Sequence, residues 1–374
     1  MVDPSPFLSR PAAVALPDAV DSGVPSHYGS PSIEQRMLAA GEAIVDLSNR
    51  GVVSIAGPDR LSWLNSMTSA ELTRLAPGGS SETLFLDPNG RLEYAAGIID
   101  DGVTAWLLVE PDAVEPLVAW LNRMKFMLRV EIDDRTAEFA RVGFVRTDSS
   151  PELPVAAPNG VPLVWTDPWR EVALGGHQYA RGEHPSADWS WAEALVPRDA
   201  LDALASGPVP AAGSLAAEAL RVAAWRPRLA TEVDEKTIPH ELDWLRSAVH
   251  LSKGCYRGQE TIAKVHNLGH PPRRLVLLHL DGSDSVLPGR GAEVRADRNG
   301  EPTTVGSVTT AVMHHELGPI ALAVVRRNVD PAAVLTVDED GISIAAAQQV
   351  IVPSDAGAVA DVPRLPRLGA VRRS

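Results

Sequence analysis

The sequence predicts an α+β fold that ends in a small antiparallel β-barrel. Three observations predict it. In the first 250 residues, short strands joined by tight turns alternate with amphipathic helices, which favours antiparallel pairing over a parallel doubly wound sheet. From Arg274 onward the chain becomes six short apolar runs separated by Gly, Pro or Asp, the pattern of a closed sheet of about 80 residues. Neither G-x-G-x-x-G nor a Walker A sequence occurs, so no nucleotide-binding motif supports a parallel architecture.

Taken in order, residues 1–32 are rich in Pro, Ser and Asp, show no period and read as an N-terminal tail. A first α+β domain is expected over 33–135. In it "GVVSIAG" is a strand, and "PDRLSWLNSM" a helix with Pro58 at its first position and Leu61, Leu64 and Met67 on one face. "ETLFLD" and "RLEYAAGII" are strands joined by Asp87-Pro88-Asn89-Gly90, and Asp100-Asp101-Gly102 turns a second hairpin. "PDAVEPLVAWLNRM" is an amphipathic helix, and "LRVEIDD" returns as a strand. A second α+β domain is expected over 136–270. It opens on the strand "TAEFARVGFV", carries the Trp-rich "VWTDPWREVALGG" and "ADWSWAEALV", and continues with the helix "SLAAEALRVAAW". Pro271-Pro272 is the hinge into a barrel over 271–352. Residues 353–374 form a C-terminal tail whose Arg364, Arg367, Arg372 and Arg373 read as solvated.

Composition narrows the function. At 45% hydrophobic and 22% charged residues, the chain can build globular cores. A net charge of −14 argues against nucleic acid or an anionic membrane as partner. No apolar run reaches the roughly 20 residues of a membrane span, and the acidic, proline-interrupted N-terminus is a poor signal peptide. One cysteine forms no internal disulfide and no multi-thiolate zinc site, so a reducing, cytoplasmic setting and no resident metal are expected. H-E-x-x-H and G-x-S-x-G are both missing, which leaves zinc and serine hydrolases without a motif.

That one cysteine lies in "KGCYRGQE", Lys253 to Glu260. Gly254 and Gly258 permit unusual backbone angles or the close approach of a ligand. "GQETIAKVH" reads as the first turns of a helix, so Lys253, Arg257 and a helix N-terminus are expected around Cys255, favouring its thiolate. The plainer reading is a buried, inert cysteine. Gln259 and Glu260 have a simple role as helix caps. Lys264, His266, His270, Arg273 and Arg274 form either a cationic wall or a solvated face. One of Glu93 and Tyr94, just past the first hairpin turn, faces inward. An inward Glu93 suits the N–H edge of a heterocycle, and an outward one is ordinary strand surface.

The octapeptide resembles the K-G-C-[FY]-x-G-Q-E signature of the YgfZ family, folate-binding proteins linked to iron–sulfur cluster assembly and repair. "LRVAAWRPRLATEVDEKTIPHELDWL" and "PPRRLVLLHLDG" on either side extend the resemblance over about residues 33–352. The chain is similar too to the T-protein of glycine cleavage, an aminomethyltransferase that uses tetrahydrofolate. The resemblance implies two α+β domains around a central channel, closed by the C-terminal barrel, with tetrahydrofolate or a derivative as cofactor. It implies iron–sulfur assembly factors or client enzymes as partners and Cys255 as the functional thiol. Tyr256 and Gly258 match the transferase as well. "NGRLEY" lines up with its "GGILDD", which puts Glu93 where it has an aspartate. "LRVAAW" lines up with "LRLEAG", so Arg221 matches but Ala223 replaces a glutamate. Within "IPHEL", Pro239, Glu241 and Leu242 match. The implied folate contacts are Glu93, Tyr94, Arg221, Trp225, Arg228 and Glu241. The replacements at 93 and 223 weaken aminomethyl transfer, which stays open as the alternative.

Overall fold

A computed structural model describes residues 4–17, 20–283, 286–298 and 300–360, so the four C-terminal arginines lie outside the described residues. The chain runs through α1 (Pro31–Ala39), β1 (Ile44–Asp46), β2 (Gly51–Ala56), α2 (Arg60–Met67) and the hairpin β3 (Ser80–Leu86) and β4 (Leu92–Asp100). β5 (Thr104–Val109), α3 (Val114–Met124), β6 (Glu131–Asp134), β7 (Phe139–Val145), β8 (Val164–Thr166) and β9 (Trp191–Pro197) follow. Next come α4 (Leu201–Ser206), β10 (Ala211–Ala212), α5 (Ser214–Ala223), α6 (Leu229–Glu232), α7 (Leu245–Ala248) and α8 (Gln259–Leu268). The last strands are β11 (Arg273–Leu280), β12 (Glu293–Arg298), β13 (Glu301–His314), β14 (Gly318–Arg326), β15 (Leu335–Glu339) and β16 (Ile342–Val350).

Two five-stranded sheets and a barrel result. The first sheet has the order β3-β4-β5-β2-β6 and the second β10-β1-β7-β9-β8. The barrel closes in the order β11-β14-β13-β12-β15-β16, its six antiparallel strands being the six runs read in the sequence. The expected hairpins form at Asp87–Gly90 and around Asp101. α2 starts at Arg60, and Trp63 and Leu64 are its buried apolar residues while Leu61 and Met67 are only half-buried. Leu84, Trp106, Trp165, Trp191, Leu275 and Val312 belong to one apolar cluster. Both sheets and the barrel thus share a core, and burying each sheet's inner face holds the parts together.

The N-terminal part differs from the tail expected over 1–32. Phe7 is fully buried among Ile44, Val142 and Leu201. Arg10 donates to the carbonyls of Leu204, Ala205, Gly207 and Val209, which caps the end of α4. Buried Asp21 pairs with Arg50 and Arg228. These are single anchoring contacts without a repeat, so no period advertises them. A division at residue 33 does not follow the sheets either. β1 pairs with β7 and β10 in the second sheet, while residues 51–134 build the first.

Candidate functional site

The octapeptide forms the turn between α7 and α8 and is fastened to the first sheet. Lys253 is buried, and its Nζ donates to the carbonyls of Asn65 (2.7 Å), Thr68 (2.8 Å) and Ala70. The same Nζ lies 5.1 Å from the Tyr256 ring centroid. Tyr256 is buried, and burial pushes its phenol pKa up. Gln259 Nε2 donates to the Lys253 carbonyl at 3.2 Å and closes the turn. Gly258 caps α8 with a φ of +83°. A Cβ there would stand 2.7 Å from the Asp87 carbonyl oxygen, so only glycine lets the turn seat on the β3–β4 hairpin.

Arg257 donates to Glu93 at 2.5 and 3.3 Å and lies 5.6 Å from the Trp120 ring. The two cations expected beside the sulfur are therefore engaged elsewhere, Lys253 by carbonyls and Arg257 by a carboxylate. Cys255 lies four residues ahead of the first residue of α8. It is exposed, as are Gly254 and Glu260, so the reading of a buried cysteine does not hold.

Between the two sheets lies a small cavity of about 100 Å³. β3 and β4 contribute Glu82, Ala95 and Gly97, and β7, β8 and β9 contribute Arg141, Trp165, Trp191 and Glu193. Trp189, Trp244, Asp167 and the segment from Arg226 to Leu229 complete the wall. Five arginines (50, 141, 221, 226, 228) and five acids (82, 110, 167, 193, 218) line it, which leaves the lining formally neutral.

The lining charges are paired. Arg226 bridges Glu82 and Asp167, and Arg228 holds Asp21, Glu110 and Glu218. Arg221 holds Glu218 and Glu232, and Arg141 holds Glu193. Burial alone would raise Asp21, but Arg50 and Arg228 keep its carboxyl well below the usual range. Glu193 is kept low in the same way by Arg141 and Arg50. At Glu82 burial, helped by the Asp167 charge, wins over Arg226, and its pKa rises.

Of the residues expected at the folate, the structure brings only Arg221 and Arg228 to this cavity. Glu93 is an extra residue in β4, because Phe85 pairs with Tyr94 and Leu86 with Leu92. That bulge turns Glu93 to the surface, where it meets Arg257 rather than the cavity. Tyr94 packs edge-on against Phe85 in the outer core of the first sheet. Trp225 is buried outside the lining, 5.0 Å from His184. Glu241, fully buried, binds Arg273 at 2.8 Å and ties the barrel to the second half of the chain. The proposed cationic wall does not form. Arg273 is paired with Asp234, Arg274 is buried inside the barrel, and His266 Nδ1 meets the Tyr179 hydroxyl at 2.9 Å. Among the described residues no cluster of His, Cys, Asp or Glu is arranged to hold a metal ion.

Sequence reading missed Glu82, Asp167, Glu193, Arg226 and the tryptophans 165, 189, 191 and 244. A signal was present in "ADWSWAEALV", where Trp191 and Glu193 share a strand face by period two and both line the cavity.

Cavity and cysteine turn are neighbours. A surface groove of about 570 Å³ is lined in part by Lys253, Gly254, His250 and Ser247. Ser247 Oγ donates to Glu82 Oε2 at 2.7 Å, and Glu82 lines the central cavity. Two hydrogen-bonded side chains, Ser247 and Glu82, separate the two volumes there.

This is the fold of the glycine cleavage T-protein. Aminomethyltransferase T of Bartonella henselae superposes with a TM-score of 0.70 at 16% identity, over 93% of this chain and 96% of that one. An aminomethyltransferase of Rippkaea orientalis is 25% identical over 332 residues, 82% of this chain and 84% of its own. A mitochondrial iron-sulfur cluster assembly factor IBA57 homolog of Chaetomium globosum is 26% identical over 302 residues, 71% of this chain and 64% of its own. A chloroplastic protein of Arabidopsis thaliana, whose name places it among transferases, is 27% identical over 304 residues, and the match spans 75% of this chain and 65% of that relative. No family model matches the chain. The relatives thus include both kinds of protein that the octapeptide and its surroundings resemble. No helix among the described residues is long and apolar enough to cross a membrane.

Proposed function

We propose that the protein binds a reduced folate in the central cavity and supports iron–sulfur cluster assembly or repair, with Cys255 as its functional thiol. The observation that carries this reading is the two-residue separation, through hydrogen-bonded Ser247 and Glu82, between a tryptophan-walled cavity and the groove lined by Lys253 and Gly254, next in the chain to Cys255. The residues fit the ligand. A pterin is planar with polar edges, and tryptophan faces beside buried carboxylates suit such a ring. At about 100 Å³ the cavity is smaller than the usual small-molecule site of about 300 to 1,000 Å³, so a ring enters only as the ion-paired walls part. Folate, when bound, supplies one-carbon or redox chemistry at its ring. This chain's residues bind the ring, hold it away from bulk water and present a sulfur nearby. One thiolate cannot complete the ligand set of a cluster, so iron or cluster is cargo shared with an assembly factor or client enzyme. A reducing compartment such as the cytoplasm keeps that sulfur available.

Aminomethyl transfer is the second reading, favoured by the T-protein fold and the aminomethyltransferase relatives. Against it stand Ala223 in place of a glutamate and Glu93 tied to Arg257 outside the cavity.

Titration with tetrahydrofolate, followed by tryptophan emission, tests the first reading. Saturable quenching is expected, unchanged in Cys255→Ala, whereas the same variant lowers iron–sulfur enzyme activity in cells. Native protein should be alkylated at Cys255 by iodoacetamide without denaturant. Glycine-dependent transfer to tetrahydrofolate that survives Cys255→Ala would favour the transferase instead.

A further inference from the structure

Four exposed apolar side chains crowd the end of α3: Met124, Phe126, Met127 and Leu128. Phe126 is 87% and Met127 83% exposed. Single apolar residues are ordinary on a protein surface, but four within five positions make a patch, and such patches mark contact with another molecule.

The backbone holds the patch outward. The Lys125 N–H bonds to the Leu121 carbonyl (3.0 Å) as α3 ends, and the Leu128 N–H donates to the Lys125 carbonyl (2.9 Å). Just beyond, Arg129 is clamped to Asp59, its backbone N–H at 2.9 Å and its guanidinium at 2.7 and 3.1 Å. Between these fixed points Phe126 has a φ of +45°, a left-handed angle that costs a bulky residue energy. No burial offsets that cost, since the ring stays in solvent.

Charge and position select the partner. Arg123 is exposed, Lys125 is half-buried, and neither makes an ion pair among the described residues. On a chain of net charge −14 this is a local cationic spot, which suits an acidic surface. Trp120 and Met124 stand one turn apart on the same face of α3. Trp120 packs edge-on against Phe85, and the Arg257 guanidinium lies 5.6 Å from its ring. Arg257 is two residues from Cys255. Through Trp120 the patch is therefore continuous with the cysteine turn.

We propose that residues 123–128 are the docking surface for a protein partner that offers an apolar pocket rimmed by carboxylates. Phe126 and Met127 enter the pocket, and Arg123 and Lys125 meet the rim. The partner is the assembly factor or client enzyme of the iron–sulfur reading. The inference rests on that reading and goes beyond it by assigning the surface and the chemistry of recognition.

The test places Phe126→Asp/Met127→Asp, Cys255→Ala or all three substitutions in cells that depend on the protein and assays iron–sulfur enzyme activity. The double variant is expected to lose as much activity as Cys255→Ala, and the triple variant no more. Both altered side chains face solvent, so the unfolding midpoint of the double variant should not move; if it does, Arg123→Glu/Lys125→Glu takes its place with the same expected loss. In parallel, a photocrosslinking phenylalanine analogue at position 126 of the full-length protein should join it to an acidic iron–sulfur protein. Full activity in the patch variants beside a loss in Cys255→Ala overturns the docking surface alone. So does a crosslink only to a second copy of this chain, or binding to anionic phospholipid vesicles that the double variant abolishes. No loss in Cys255→Ala overturns the iron–sulfur reading and the docking surface with it.

Discussion

Gly258 and Gly254 bracket the same cysteine for different reasons, and the difference is measurable. Gly258 sits at φ +83° against the hairpin turn, so Gly258→Ala is both strained and blocked by the Asp87 carbonyl. It should cost about 1 to 3 kcal/mol in chemical denaturation. Gly254 has an ordinary φ and open space where a Cβ would go, so Gly254→Ala should stay within about 0.5 kcal/mol. Equal effects would mean that the turn is not seated on the hairpin. That glycine and cysteine were special here was legible in the octapeptide. Where Lys253 goes was not. Its acceptors are the carbonyls of Asn65, Thr68 and Ala70, more than 180 residues away in the chain, and backbone acceptors leave no residue signature. Glu93 misled for a related reason. Alternation offers two faces, and a bulge chooses between them by inserting one residue that no period reveals.

At the level of elements, hairpins and barrel strands were legible because turn residues and period-two burial mark them locally. The N-terminal segment was not, since its anchors are isolated. Asp21 joins it to the cavity through Arg50 and Arg228. Asp21→Asn removes one charge from a buried network, and about 2 to 4 kcal/mol of stability should go with it. The Arg181–Asp355 pair has the same geometry at 2.7 Å, but its side chains are 71% and 62% exposed. Asp355→Asn should therefore change stability by no more than about 1 kcal/mol. If the two substitutions cost the same, the segment is not a working part of the cavity wall.

For the whole molecule, buried titratable groups set the response to acid. His184 is pushed down to about 3 by burial and by Arg246. Burial also takes His240 to about 3, with His266 and His177 adding to it against the Ile262 carbonyl. Asp243 goes the other way, pushed up to about 7 by burial despite two backbone N–H donors. Between about pH 6 and 4, unfolding takes up two protons at the histidines and releases one from Asp243. From these three groups the net uptake of one proton makes stability fall as pH falls, by about 1.4 kcal/mol per pH unit. His177, His266 and His314, also held low by burial, add to the fall, and Glu82 and Asp46, raised by burial, offset part of it. Denaturation midpoints at pH 6 and pH 4.5 check this, and a midpoint that rises on acidification would contradict it.

The central claim is that a reduced folate occupies the space between the two sheets, next to the groove lined by Lys253 and Gly254 of the cysteine turn. The most direct measurement is an experimental structure of the protein soaked with tetrahydrofolate. The account predicts the ring among Trp165, Trp189, Trp191 and Trp244, with Glu82 beside it. A cavity that stays closed around its ion pairs, with the ligand missing or held elsewhere, would contradict it.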